Sequence, residues 1–189
     1  FLMYYKQKYL TKPEFDDIEL ISDGVNLNHL YFINDKSYES LKKYYSININ
    51  EIEEKELVVF ELTKKWLDNY FNLERPAFFP PVKLENLTPF RKRVIDIMKE
   101  IPYGNTISYG DIAKEIAVEM NINRMSAQAV GSAVGFNPIC IIIPCHRVVG
   151  KHGDLTGYAS GMKNKIALLK LEGNDMDNFF FKGTKYDKM

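Results

Sequence analysis

The segment IIIPCHRVVG, from Ile141 to Gly150, sets one of the chain's two cysteines directly before one of its three histidines and a fixed positive charge. A thiolate, not a thiol, is the nucleophile, and a neighbouring base or cation makes it accessible near neutral pH. Cys145 with His146 and Arg147 therefore reads as a candidate nucleophile with its base. The competing reading is a buried core cysteine, the usual state of this residue type. Cys140, inside the apolar run Ile139–Ile143, reads as an inert thiol, because desolvation raises its pKa. The three isoleucines read as a strand. Adjacent residues on a strand face opposite ways, so His146 reaches Cys145 only if the strand stops, and Pro144 is a stop signal. A tight turn, a helix start or a bridging water would then join the two side chains.

Other function classes are excluded by composition. Two cysteines are too few for a disulfide scaffold or a structural zinc site, so neither metal nor cofactor is expected, and a reducing cytoplasm fits best. No apolar run approaches the length of a membrane span. The opening FLMYYKQKYL lacks the apolar core of a signal peptide, and Phe1 and Leu2, ahead of Met3, are expected to be additions. The net charge is zero, yet it divides unevenly: residues 1–85 hold 11 Lys and Arg against 15 Asp and Glu, and residues 86–189 hold 14 against 10. From Arg124 to Lys170 lie Arg124, Arg147, Lys151, Lys163, Lys165 and Lys170, with Asp154 the only acid between Glu119 and Glu172. Such a surplus predicts a cationic face on the second half, against the plainer reading of a solvated mixed surface.

These residues need elements to position them. In the first half, IELIS (Ile18–Ser22) and LNHLYFIND (Leu27–Asp35) read as strands around a Ser22-Asp23-Gly24 turn. Leu57, Phe60, Leu67 and Phe71 recur near helical spacing. RPAFFPPVKLENLTP, with four prolines, reads as an extended linker, which puts one domain at 1–82 and another at 87–189. In the second half, Thr88-Pro89 starts a helix to Glu100 that buries Phe90, Val94, Ile97 and Met98. Ser108 and Asp111 form a capping box that opens a helix from Tyr109 to about Val118. SAQAVGSAVG (Ser126–Gly135) is a helix of small side chains. Small residues serve either tight helix packing or entry into a narrow DNA groove, and this stretch alone weighs both equally. With a strand and a Gly-rich hairpin (Gly150–Gly161) following, the order is that of a winged helix-turn-helix.

PCHRVVG resembles the acceptor signature of the O6-alkylguanine-DNA alkyltransferases, the methylated-DNA–protein-cysteine methyltransferases. TPFRKRVIDIMKEIPYGNTISYGDIA, SAQAVGSAVGFNP, IIIPCHRVVG and LTGYASGMKNKIALLKLEG are similar to that family's blocks, in order and at its spacing, over about Leu87–Gly173. The resemblance implies an α+β chain with a mixed α/β, ribonuclease-H-like N-terminal domain. It also implies DNA repair in which an alkylated nucleotide is flipped out of duplex DNA, bound from the minor groove, and its alkyl group passes irreversibly to the protein. O6-alkylguanine is the implied substrate, and O4-alkylthymine stays open.

Residue by residue, Cys145 matches the acceptor, His146 the base that takes its proton through a water, and Glu172 the carboxylate that orients the histidine. Asn137 matches the residue that holds the turn. Tyr109 matches the tyrosine that contacts the flipped nucleotide and gives a proton to the leaving guanine. Val148, Tyr158, Ala159 and Ser160 match the pocket, Ala129 and Gly131 the DNA-facing helix, and Arg147 an ion pair between domains. Two positions depart. Gln128 stands where the family commonly has an arginine that fills the vacated stack, with Arg124 four residues earlier and expected on the same helix face. Cys140 stands where many members have proline. A monomer acting once, with DNA as its partner and no membrane, is the implied state.

Three rivals have their own signatures. A binding-only relative would lack the acceptor cysteine. A winged-helix transcription factor would carry a bulkier, more polar recognition helix. A Cys-His-Glu hydrolase would turn over.

Overall fold

The computed structural model describes residues 3–34, 39, 41–43, 46, 48–181 and 184–185. The expected end of the second strand at Asp35, and Phe1 and Leu2, lie outside them. Two compact units divide the chain, Phe1–Asn86 and Leu87–Met189. No helix among the described residues is long and apolar enough to cross a membrane.

The first unit is built on strands β1 (Tyr5–Tyr9), β2 (Ile18–Ser22), β3 (Leu27–Phe32) and β4 (Glu53–Glu54), in the sheet order β3-β2-β1-β4. The first three pair antiparallel and β4 joins β1 in parallel. Every residue of β2 and β3 is buried, so both faces are covered, with Glu19, Ser22, Asn28 and His29 buried among the apolar residues. Helix α1 (Val58–Phe71) contributes Phe60, Leu67 and Phe71 to the core. The proline-rich segment is not free along its length. Pro81 O accepts from Leu27 N at 2.7 Å and Lys83 N donates to Leu27 O, which lays Val82 along β3.

In the second unit, helices begin where their caps dictate. Thr88 accepts from Arg91 N with proline in the first turn of α2 (Pro89–Glu100). Ser108 accepts from Asp111 N and opens α3 (Tyr109–Glu119), and Ser126 accepts from Ala129 N and opens α4 (Ala127–Gly135). Each cap satisfies an N–H that the helix leaves unpaired. α2 buries Val94, Ile95, Ile97 and Met98, Ile95 taking the core place expected for Phe90. Two-residue strands β5 (Ile107–Ser108) and β6 (Val148–Val149) pair in parallel. Helix α5 (Met162–Leu171) follows, and β7 (Phe180–Phe181) pairs with β8 (Thr184–Lys185).

Three expectations fail here. Ile141–Ile143 is a turn, not a strand: Ile141 sits at φ 69°, and Ile143 N donates back to Ile139 O. A buried β-branched residue in the left-handed region is strained by about 1–3 kcal/mol, so the β propensity of the run is overridden by what pins it. Gly150–Gly161 holds a 3-10 turn (Lys151–Gly153) and no strand pair of its own; Gly150 N closes it on Asp154 O, and Leu155 N bonds Phe180 O instead. Arg124 is not on α4, because the Ser126 cap starts that helix two residues later.

Candidate active site

Asn137 makes the turn. Its Nδ2 donates to Ile143 O at 2.8 Å and its Oδ1 accepts from Ile139 N at 3.1 Å. One side chain thus spans the strained Ile141 and delivers Pro144 to a single 3-10 turn, Cys145–Arg147. That turn separates the three side chains that a strand would have alternated. Cys145 and His146 are buried, while Arg147 is partly buried.

Behind the cysteine, His146 Nε2 lies 2.8 Å from Glu172 Oε1, both side chains fully buried. The other ring nitrogen, Nδ1, is buried with no hydrogen-bond partner among the described residues. With Nε2–H committed to the carboxylate, Nδ1 is the basic nitrogen. Glu172 also accepts from Arg147 Nε and Nη2 at 2.9 and 2.7 Å and from Gly104 N at 3.2 Å. Burial pushes the Glu172 carboxyl up, yet the hydrogen bonds and charges of His146 and Arg147 hold it well below the usual carboxylate range. Arg147 Nη1 donates to Ile101 O at 2.6 Å. These Arg147 bonds stay inside the second unit, so the ion pair fastens Glu172 rather than bridging the units.

In front of the cysteine lies a cavity of about 20 Å³ lined by Tyr109, Gly131, Asn137, Cys140, Cys145 and the segment Gly157–Ser160, among others. It has room for a water-sized group. A purine enters only if a wall moves, and Gly157 at φ 96° and Gly161 at φ 89° flank the Tyr158–Ser160 wall. The Tyr158 hydroxyl is 3.6 Å from Cys145 Sγ, and Cys140 Sγ is 3.1 Å from Ser160 Oγ. The neighbouring Cys140 thiol is the largest influence on Cys145. With the charge of His146 and the hydrogen bonds of Tyr158 and Asn137, it outweighs burial and brings the Cys145 thiol down to about 6. Cys140 itself is held up by that same contact and by burial. Burial, then the negative charge of Cys145, pushes Tyr109 up to about 12, which keeps it a neutral donor.

The expected site residues therefore divide. Cys145, Asn137, Tyr109, Gly131, Tyr158, Ala159 and Ser160 meet at the cavity, with His146 and Glu172 behind it. Val148 is not a cavity wall; its carbonyl accepts from Lys165 Nζ at 2.7 Å. Gln128 and Arg124 are exposed, away from the cysteine, and Ala129 is half-buried. On α4, Val130, Ala133 and Val134 face the core, whereas nothing lies within 4 Å of a Cβ built on Gly135. Packing does not demand that glycine.

Lys165, counted in the expected cationic face, is instead fully buried, its ammonium 5.4 Å from the Tyr158 ring. Burial lowers it to about 8. With Arg147 bound to Glu172, the expected cationic face shrinks to Arg124, Lys151, Lys163 and Lys170, all exposed. The position of Lys165 four residues after Gly161, on the inward side of α5, was the available signal for its burial. There is no cluster of potential metal ligands among the described residues.

The family model for the DNA-binding domain of 6-O-methylguanine DNA methyltransferase matches residues 89–174. A methylated-DNA–protein-cysteine methyltransferase of Methanosarcina acetivorans is 39% identical over 172 residues, 91% of this chain and 99% of that one. The crystal structure of Mycobacterium tuberculosis OGT in complex with DNA superposes with TM-score 0.69 at 33% identity, covering 90% of this chain and 92% of the other. The O6-methylguanine-DNA methyltransferase of Pyrococcus kodakaraensis KOD1 gives TM-score 0.63 at 26% identity over 90% and 99%. A chain this similar over 91% of its length belongs to the methylated-DNA–protein-cysteine methyltransferases, the DNA-repair proteins that move an alkyl group from DNA onto a cysteine of their own.

Proposed function

We propose that Cys145 takes the alkyl group of O6-alkylguanine in one displacement and keeps it. The observation that carries this reading is the Cys145 thiol at the cavity, backed by the buried His146–Glu172 pair. His146 Nδ1 accepts the thiol proton through a water, and Glu172 and Arg147 hold the ring. The thiolate attacks the alkyl carbon, the C–S bond forms and the C–O6 bond breaks. The guanine leaves as an anion that takes a proton from the Tyr109 hydroxyl. A thioether has no hydrolytic route back, so one chain acts once. O4-alkylthymine presents the same kind of alkyl carbon and is the natural second substrate to assay.

The nucleotide must leave the stack to reach a buried sulfur. In this reading α3 and α4 form a helix-turn-helix laid in the minor groove. The small outward residues of α4 allow close approach, Gln128 enters the gap and Arg124 holds a phosphate. The segment Gly150–Gly161 takes the place of a wing. The β1–β3 meander with β4 parallel to β1 supports a ribonuclease-H-like first unit. All the groups invoked come from one chain, which suits a monomer, and free thiols suit the cytoplasm. The test is stoichiometry. Duplex carrying O6-methylguanine, titrated against the protein, should be repaired to a plateau of one lesion per chain. Continued repair with excess lesion would overturn the proposal.

A further inference from the structure

The proposed transfer uses one sulfur, but the cavity holds two. Cys140 and Cys145, the only cysteines of the chain, are both buried and both line the same small space. Their sulfurs touch the same wall, Cys140 at Ser160 Oγ and Cys145 at the Tyr158 hydroxyl. The turn pinned by Asn137 aims Cys140 at the cavity instead of the core, with Ile142 N closing on Cys140 O at 2.8 Å. Packing alone would be served by an apolar side chain at this position.

We propose that Cys140 and Cys145 form a modification site for hydrogen peroxide, which converts the two thiols of this cavity into an intramolecular disulfide. The Cys145 thiolate attacks one peroxide oxygen; the O–O bond breaks, the departing hydroxide takes a proton, and Cys145 is left as a sulfenic acid. Cys140 then loses its proton and attacks the Cys145 sulfur. The S–O bond breaks, and the second hydroxide leaves as water with that proton. Two thiols and one peroxide give one disulfide and two waters, with both sulfurs oxidised and both peroxide oxygens reduced.

The environment favours this order. Cys145 is the more ionised thiol and reacts first. Cys140 is held up first by its contact with Cys145, then by burial, and then by that neighbour's charge. A sulfenic acid carries no such charge, so Cys140 ionises more readily at the step that needs it. Peroxide enters by the same wall movement that the nucleotide needs, and Cys140, already lining the cavity of about 20 Å³, meets the oxidised Cys145 ahead of any outside thiol. Oxidation therefore ends in the internal disulfide and not in a mixed one. Sulfinic acid is irreversible by ordinary thiols, whereas a disulfide is reducible. Cys140 thus preserves a single-use nucleophile.

The mass readout needs no DNA and is independent of the alkyl-transfer reading, on which only the recovery readout rests. The full chain is treated with a small excess of hydrogen peroxide, denatured without reductant and weighed. The native protein should lose two hydrogens, localised to the tryptic fragment from Met125 to Arg147. Dithiothreitol should restore its transfer capacity almost fully. Cys140→Ser should instead add two or three oxygens at Cys145 and recover at least about tenfold less capacity. Oxygen added to Cys145 of the native protein without loss of two hydrogens would overturn the proposal. So would equal recovery of the variant. If Cys140→Ser does not fold, the mass and recovery of the native chain decide alone.

Discussion

Two histidines of this chain are buried almost completely, His29 in β3 of the first unit and His146 in the 3-10 turn of the second, at 2% and 0% exposure. Their surroundings separate them. Burial in the sheet pushes His29 down to about 3, so it stays a neutral imidazole at any ordinary pH. His146 has Glu172 at 2.8 Å, and Glu172 is itself fastened by Arg147 and Gly104. Burial alone makes an imidazole inert. A buried carboxylate on one nitrogen leaves the other basic and stabilises the cation that forms when it takes a proton. Burial is shared, and at His146 the fastened Glu172 carboxylate directs the ring.

The largest effect expected from breaking this contrast is at His146. His146→Ala should slow methyl transfer by about 10²–10⁴-fold, the usual share of a general base, as read by single-turnover assays. His29→Gln should leave that rate within about twofold, since it touches none of the groups invoked. Equal losses in both variants would mean that the site senses core packing and not the relay.

Glu172→Gln comes next. It leaves the partly buried Arg147 guanidinium without its buried anion, and breaking such a pair costs up to about 3–5 kcal/mol. Urea midpoints should fall accordingly, and the transfer rate should fall with them. The double variant Glu172→Gln, Arg147→Met should regain part of the stability but little of the rate, because the histidine would still lack its carboxylate.

Acid tests His29 directly. His29 has a folded pKa of about 3, below the ordinary histidine value of 6.5. The unfolded chain therefore binds more protons between those limits, and stability is lost as pH falls from about 6.5 toward 3. His29→Gln should flatten that slope in thermal melts. Reactivity follows a different curve. With the Cys145 thiol at about 6, its alkylation by a small reagent should climb through pH 6 and level off above 7. A climb centred near the ordinary thiol value of about 8.5 would show that the cavity does not activate the sulfur.

The smallest effects concern the exposed residues. Gln128→Ala should slow repair of duplex DNA while sparing free O6-alkylguanine base, which needs no flipping. Glutamine lacks the charge and stacking plane of arginine, so the loss should be modest. Arg124→Ala should weaken binding to all duplexes alike and reduce the salt slope by about one.

Much of this was legible in the chain itself. Thr88-Pro89, Ser108 and Ser126 announced α2, α3 and α4 because capping is local chemistry. The acceptor segment was legible as residue types but not as geometry. Three isoleucines favour a strand, and only the contacts of Asn137 with residues two and six positions away turn them. Charge counting failed at Lys165 and Arg147 for a related reason: a formal charge does not say whether its side chain faces water. Arg124 lost its expected helix to a cap two residues on. The one- and two-residue pairings, such as Val82 with Leu27 and β5 with β6, carry no periodicity to read.

The claim at the centre is that Cys145 alone receives the alkyl group, although Cys140 shares its cavity. Protein reacted with a duplex bearing O6-methylguanine should be weighed intact, digested and mapped. The account predicts a gain of one methyl group, all of it on Cys145, with Cys140 unmodified. Methyl on Cys140 at a comparable level, or on any other residue, would contradict it.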